Sequence, residues 1–236
     1  MSSFIFKGIS SEDLGLIITK PIVRPNWAKA TIEVERPGAS SNLIVEGNNY
    51  SSSELVVSAV ISDTSPEKVH DIYSALQGYG ILTLSSAPQE YMNAICKPLV
   101  PEAVALSMAE LHIAFTVMPF AYAVNPTTTA ITTTEQTIVN AGTVYSEPLF
   151  TFSGIGTVSI FVNDTEFKIA LTNELADTEI YIDCEAQVAY YVSNGQNITV
   201  TQLTSGDFPL LHTGENIVRC SGTVNSMHIN LKERWL

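Results

Sequence analysis

The chain is written in short β-prone runs, each closed within about ten residues by Gly, Pro, Asn or Ser, and this punctuation restricts the fold to sheets. Phe4-Ile5-Phe6, Leu16-Ile17-Ile18 and residues 30–35 read as the first strands. In the last of these Ile32 and Val34 alternate with Glu33 and Glu35, which predicts one buried face and one wet face. Arg36-Pro37-Gly38 breaks the run, Leu43-Ile44-Val45 follows a polar loop, and Gly47-Asn48-Asn49 reads as a turn. Residues 54–61 make a Val-rich strand. One helix stands out. Ser65 is a good N-cap and Pro66 takes the first helical position, where its missing N–H costs nothing. Val69, Ile72, Tyr73 and Leu76 then form one apolar stripe, with Gly78 and Gly80 at the end. The stripe predicts a packing helix. Strands resume at 80–84, 91–97 and 108–117.

Pro119 and Asn125-Pro126 bracket residues 121–124, and a charge-free, Thr-rich stretch follows at 127–134. Thr runs favour extended backbone, so this reads as a linker running into a first strand, with domains at 1–125 and 126–236. Strands are expected beyond it at 137–139, 148–153, 157–162, 166–170, 179–182, 189–192, 198–203, 215–220 and 227–231. The expected turns are Gly154-Ile155-Gly156, Asn163-Asp164, Asn194-Gly195, Ser205-Gly206-Asp207 and Gly222. Strands at this spacing predict a β-sandwich or jelly roll.

With 236 residues, 45% of them apolar, the chain can bury a sizeable core. Only 15% are charged, which points to surface covered by partners, although Thr, Ser and Asn also supply uncharged polar surface. The net charge is −13; residues 1–124 hold 7 basic and 12 acidic groups, and residues 125–236 hold 4 and 12. Without a basic stripe, phosphate-driven nucleic-acid binding is disfavoured, whereas an acidic wall suits DNA that must slide past it. Cys96, Cys184 and Cys220 are odd in number and far apart, with no CxxC spacing, which fits a reducing compartment. Neither a signal-peptide pattern nor an apolar run of the roughly 18–20 residues of a membrane span is expected. The sequons at Asn163 and Asn197 read as incidental.

Chemistry is sparse. His70, His112, His212 and His228 show no spacing that pairs two of them beside a carboxylate, and HExxH, GxSxG, Walker and complete GxGxxG patterns are missing. Asp183-Cys184-Glu185 would send two carboxylates to one strand face, either as an acid–base pair or as an exposed acidic edge. Cys184 has no histidine near it in sequence to activate it. Tyr190 or Tyr191 with Asn194 and Gln196 could build a sugar-stacking platform, or could be an ordinary core or edge pair. No catalytic residue, cofactor or metal set is expected, and the chain does not read as an enzyme.

Several motifs taken in order resemble the siphophage distal tail proteins, a family of phage tail components. The opening Phe4-Ile5-Phe6-Lys7-Gly8-Ile9, the following Asp13-Leu14-Gly15, and Arg36-Pro37-Gly38 carry the N-terminal half of the likeness. Ile182-Asp183-Cys184-Glu185 with Ala189-Tyr190, then Gly206-Asp207-Phe208-Pro209-Leu210-Leu211, Gly214-Glu215-Asn216 and Arg234-Trp235-Leu236, carry the rest. The resemblance implies a tail-tube-like β domain with one flanking helix, followed by a galectin-like β-sandwich. It implies a virion structural protein that is assembled in the bacterial host cytoplasm and sits at the tail tip. Six copies would form a hub ring joining the tail-tube protein to tip or baseplate proteins, with a channel through which DNA passes unread and no membrane insertion. Acidic residues of the first domain are then expected to line the channel, and residues 36–52 to project as a hairpin at a subunit contact. Two other readings stand beside it: a glycan-binding sandwich serving in adhesion or host recognition, and a tube protein, which would usually lack the sandwich.

Overall fold

The computed structural model describes residues 2–97, 101–105 and 108–236, with backbone alone for Asn48 and residues 101–105. The chain divides into two compact units, residues 1–124 and 125–235. The first contains β1 (Phe4–Phe6), β2 (Ile9–Ser10), β3 (Ile17–Ile18), β4 (Lys29–Val34), β5 (Leu43–Tyr50) and β6 (Ser53–Ile61). The helix α1 (Pro66–Leu76) follows, then β7 (Gly78–Leu84), β8 (Glu90–Cys96), β9 (Pro101–Ala105) and β10 (Met108–Ala123).

Its main sheet is antiparallel in the order β2-β1-β7-β8-β10-β6-β3, with β9 also paired to β10. Alternation decides what is inside. From β10 it buries Leu111, Ile113, Phe115 and Val117; from β6 it buries Leu55, Val57, Ala59 and Ile61. Ile72 and Leu76 of α1 are buried in the same cluster, with Val69 and Tyr73 packed against it. Phe4 and Phe6 meet Phe115 edge-on, with ring centroids 5.5 and 5.2 Å apart. Ser65 caps α1 by accepting the Lys68 N–H at 3.4 Å. The helix stops at Leu76, and Gly78, at φ +92°, turns the chain directly into β7. Gly80 belongs inside β7 and does not end the helix; a Cβ there would press on the Phe6 ring at 3.1 Å. Pro119 does not end its strand either. β10 absorbs it in a register shift between Val117 and Ala121, with Phe120 at φ +74°.

β4 and β5 form a two-stranded sheet of their own. The alternation in β4 does create an apolar face, since Ile32 lies opposite Val45 and Val34 opposite Leu43. The expectation that this face is buried is corrected: all four side chains are exposed, Ile32 at 65%. Gly47-Asn48-Asn49 is not a turn. The register jumps from Thr31↔Glu46 to Lys29↔Tyr50, so these residues are extra length bulged opposite Ala30. The chain instead reverses at the tip between the strands, where the Ala39 N–H reaches the Arg36 carbonyl at 3.0 Å and Gly38 has φ +82°. Pro37 then sits second and Gly38 third, the residues a type II turn demands.

The second unit contains β11 (Thr128–Ala130), β12 (Gln136–Asn140), β13 (Leu149–Val162), β14 (Thr165–Ala170), β15 (Ile180–Asp183) and β16 (Val188–Ser193). β17 (Gln196–Thr199), β18 (Thr204–Ser205) and β19 (Gly214–Asn230) follow. The Thr-rich stretch is not a free linker: β11 pairs with β19 and Ile131 is buried. Two expected hairpin turns are also corrected. β13 runs unbroken through Gly154-Ile155-Gly156, and β19 runs unbroken through Gly222. The two strands pair along their whole length, and the register shifts at Ser153/Gly154 and Ile155/Ser159. A Cβ on Gly154 would strike the Thr223 carbonyl, and one on Gly222 the Thr157 carbonyl. The glycines therefore let both strands bend together. One half of β13 pairs with β15 in an extension reaching β16 and β17; the other half pairs with β14, which reaches β18. Strands that bend from one sheet into the next make the corner of a sandwich. Phe150, Phe152, Ile160, Phe167, Ile180, Ile182, Met227 and Ile229 are among the residues that fill it.

Candidate functional site

Asp207 and Phe208 of the second unit's motifs line a cleft of about 460 Å³, and Arg234 contacts two of its other lining residues. Tyr145, Glu147, Cys184, Gln187, Asp207, Phe208 and Leu210 line it. Gly206, at φ +91° with the Glu166 carbonyl where a Cβ would stand, makes the sharp entry into this loop. Asp207 is consequently exposed, Phe208 packs on Phe167 at 4.8 Å, and Pro209 is buried.

Arg234 holds the opposite wall. It is 3% exposed, donates through Nε to the Tyr145 carbonyl at 2.7 Å, and pairs through Nη1 with Glu147 at 2.8 Å. Its guanidinium lies 4.5 Å from the centre of the Tyr145 ring. Trp235 beside it is half-buried. Asn216, wholly buried, accepts the His212 N–H at 2.8 Å and donates to the carbonyls of His212 and Gly214. Gly214 has φ +85°, so the loop closes on its own backbone. Asn140 does the same for the neighbouring loop, donating to Val144 and Leu211 carbonyls and accepting the Gly142 N–H. Asn140, Tyr145 and Glu147 escaped the sequence reading; the only trace was the Asn-x-Gly spacing of Asn140 and Gly142.

The predicted residues of the first unit are turn residues. Gly8 at φ +80° makes the β1–β2 turn, Gly15 at φ +73° donates to the Glu12 carbonyl, Asp13 is exposed, and Pro37 and Gly38 form the β4–β5 tip.

The thiol and the acids at and beside the cleft are each held in a fixed state. Burial, reinforced by the Asp183 charge, pushes the Cys184 thiol far up, so it stays protonated. Asp183 and Glu185 share Lys232, whose Nζ is 3.2 Å from each. Burial works against the Lys232 charge, but the two carboxylates prevail and raise its pKa. The two acids are thus locked in an ion-pair cluster. Among the described residues, no group of three or more His, Cys, Asp or Glu side chains is placed to hold a metal. Tyr190 and Tyr191 diverge: Tyr190 stacks on Tyr181 outside the sheet, while Tyr191 packs against the core.

Residues 141–235, which include the cleft and both glycine corners, match the family described as "Siphovirus-type tail component, C-terminal domain". The match to siphovirus-type tail components thus lies within the second unit. Asp207, Phe208, Pro209, Gly214, Asn216, Arg234 and Trp235 all fall within the matched stretch. The fold likeness extends over the whole chain. The Dit (gp 19.1) protein of phage SPP1, whose crystal structure is described as "a Paradigm of Hub Adsorption Apparatus in Gram-positive Infecting Phages", superposes with TM-score 0.79 at 14% identity over 100% of both chains. A chain of the phage P2 baseplate in its activated conformation with Ca superposes with TM-score 0.55 at 8% identity, over 98% of this chain and 97% of that one. No curated protein matches the chain by sequence. The resemblance to siphophage distal tail proteins is borne out, as is the mainly β architecture with one helix and a C-terminal sandwich.

Proposed function

We propose that this chain is the hub ring of a siphophage tail tip. Six copies close around a channel, join the tail-tube protein to the tip or baseplate proteins, and let DNA pass. The observation that carries the ring is the β4–β5 arm. Ile32, Val34, Leu43 and Val45 form one continuous apolar face, 44–65% exposed, on a hairpin that pairs with no third strand among the described residues. Apolar surface and open strand edges of this kind are liabilities in a lone molecule and normal at an interface. An arm that leaves one copy and lands on a different surface of the next makes a heterologous contact, which closes into a ring when the rotation is right. The whole-chain likeness to a hub adsorption protein and to a baseplate chain supports the same reading.

The first unit supplies the wall of the channel in this reading. Its 7 basic and 12 acidic groups give it an excess of negative charge, which keeps DNA from adhering. The site in the virion is the tail tip, reached after assembly in the host cytoplasm. Imaging of the purified full chain, alone and with the tube and tip proteins of the same virion, tests this. Annular particles with six-fold symmetry and an open centre are expected; solid or open-chain particles would contradict it, as would a basic lumen.

A further inference from the structure

Away from the cleft and the arm, the outer face of one sandwich sheet carries a pattern that points to a ligand. The strand registers place His228, Thr151, Tyr181, Tyr190 and Thr199 side by side across β19, β13, β15, β16 and β17. All five face away from the core, because their chain neighbours Ile229, Phe150, Phe152, Ile180, Ile182 and Ala189 are the buried ones. The Tyr181 and Tyr190 rings stack on each other, with centroids 5.3 Å apart and planes within 14°. Small threonines flank the stack on both sides. Neighbouring strands are about 4.8 Å apart, so Tyr181 and His228 stand about 9.6 Å apart across Thr151. This makes a slot with a phenol ring on one wall, an imidazole on the other and a small floor.

Polar groups edge the slot at both ends. Asn230 and Asp183 flank Leu149 along one side, and the Ser153 and Ser226 hydroxyls stand 3.0 Å apart along the other. The acids on this face are already engaged. Asp183 and Glu185 are closed by Lys232, and Glu179 accepts the Tyr181 hydroxyl. The surface is therefore aromatic and hydrogen-bonding, without a cationic patch for phosphates and without the apolar stripe that a partner strand would need.

We propose that this face binds a neutral saccharide chain, with one pyranose ring seated over Thr151 against Tyr181. The C–H face of a sugar packs on an aromatic ring, and its hydroxyls need the imidazole, amide and hydroxyl groups that edge the slot. The inference is independent of ring assembly.

The test is binding of the full chain to an array of neutral gluco-, galacto-, rhamno- and N-acetylhexosamine oligosaccharides, beside a polyglycerol phosphate. Binding of a neutral oligosaccharide is expected, weakened about tenfold or more in Tyr181→Ala and in Thr151→Trp, which fills the slot while leaving both tyrosines in place. Thermal unfolding of both variants checks the fold, and Thr151→Trp decides if Tyr181→Ala fails to fold. Failure of every neutral oligosaccharide to bind, recognition of the polyglycerol phosphate alone, or undiminished binding by Thr151→Trp would overturn the assignment.

Discussion

The β4–β5 arm and the β13–β19 pair are both antiparallel ribbons rich in Val and Ile, yet they treat their apolar faces in opposite ways. β13 and β19 bury Phe150, Phe152, Ile160, Val218 and Ile229 in the sandwich. The arm leaves Ile32, Val34, Leu43 and Val45 in water. The strand pattern is the same in both; what differs is the presence of a second layer. Alternation announces that a face will be covered, and it is silent on whether the cover comes from the same chain.

The comparison breaks first at the core. Phe152→Ala is expected to cost about 3–5 kcal/mol in denaturant unfolding, because the removed ring leaves a cavity in a wholly buried site. The bend comes next. Gly222 sits at φ +105° with the Thr157 carbonyl against it, so Gly222→Ala should cost about 1–3 kcal/mol from the backbone conformation alone, with the clash added.

A smaller effect separates core from arm by pH. Burial, opposed by Lys7, pushes the Cys96 thiol up to about 11, and burial also raises Cys184. A raised folded pKa favours the protonated thiol. Its contribution is whole below the unfolded thiol pKa of about 8.5 and is lost as pH rises through the folded value. Stability should therefore fall from about pH 9 upward, by about 1.4 kcal/mol per pH unit for each thiol. Cys184→Ala should flatten that slope, and arm variants should leave it unchanged; unfolding curves taken across this range would show it. Smallest of all, Ile32→Ser should change the stability of the isolated chain by less than about 0.5 kcal/mol, since the side chain is 65% exposed and meets only its cross-strand neighbours.

Much of this was legible in the sequence, and the failures share a cause. The helix was readable because Ser65, Pro66 and the Ile72–Leu76 spacing are local signals of local structure. The sandwich was readable from strand spacing. Gly154, Gly156 and Gly222 were misread because a glycine announces an unusual backbone or a close approach without saying which; only the facing strand turns a turn signal into a corner. The same holds for Gly47 and for Pro119, which bulges absorb. At the cleft, Asp207-Phe208-Pro209 formed a recognisable string, whereas Asn140, Tyr145 and Glu147 act through partners roughly 70–90 residues away in the chain. The row from His228 to Thr199 was invisible for the same reason, since register across five strands sets it.

In the proposed ring the apolar face of the arm is the interface between copies. Sedimentation of the full chain against its Ile32→Ser, Leu43→Ser double variant measures that directly. Particles with the mass of six chains are expected for the natural sequence and single folded chains for the variant. Rings from both, or single chains from both, would contradict it.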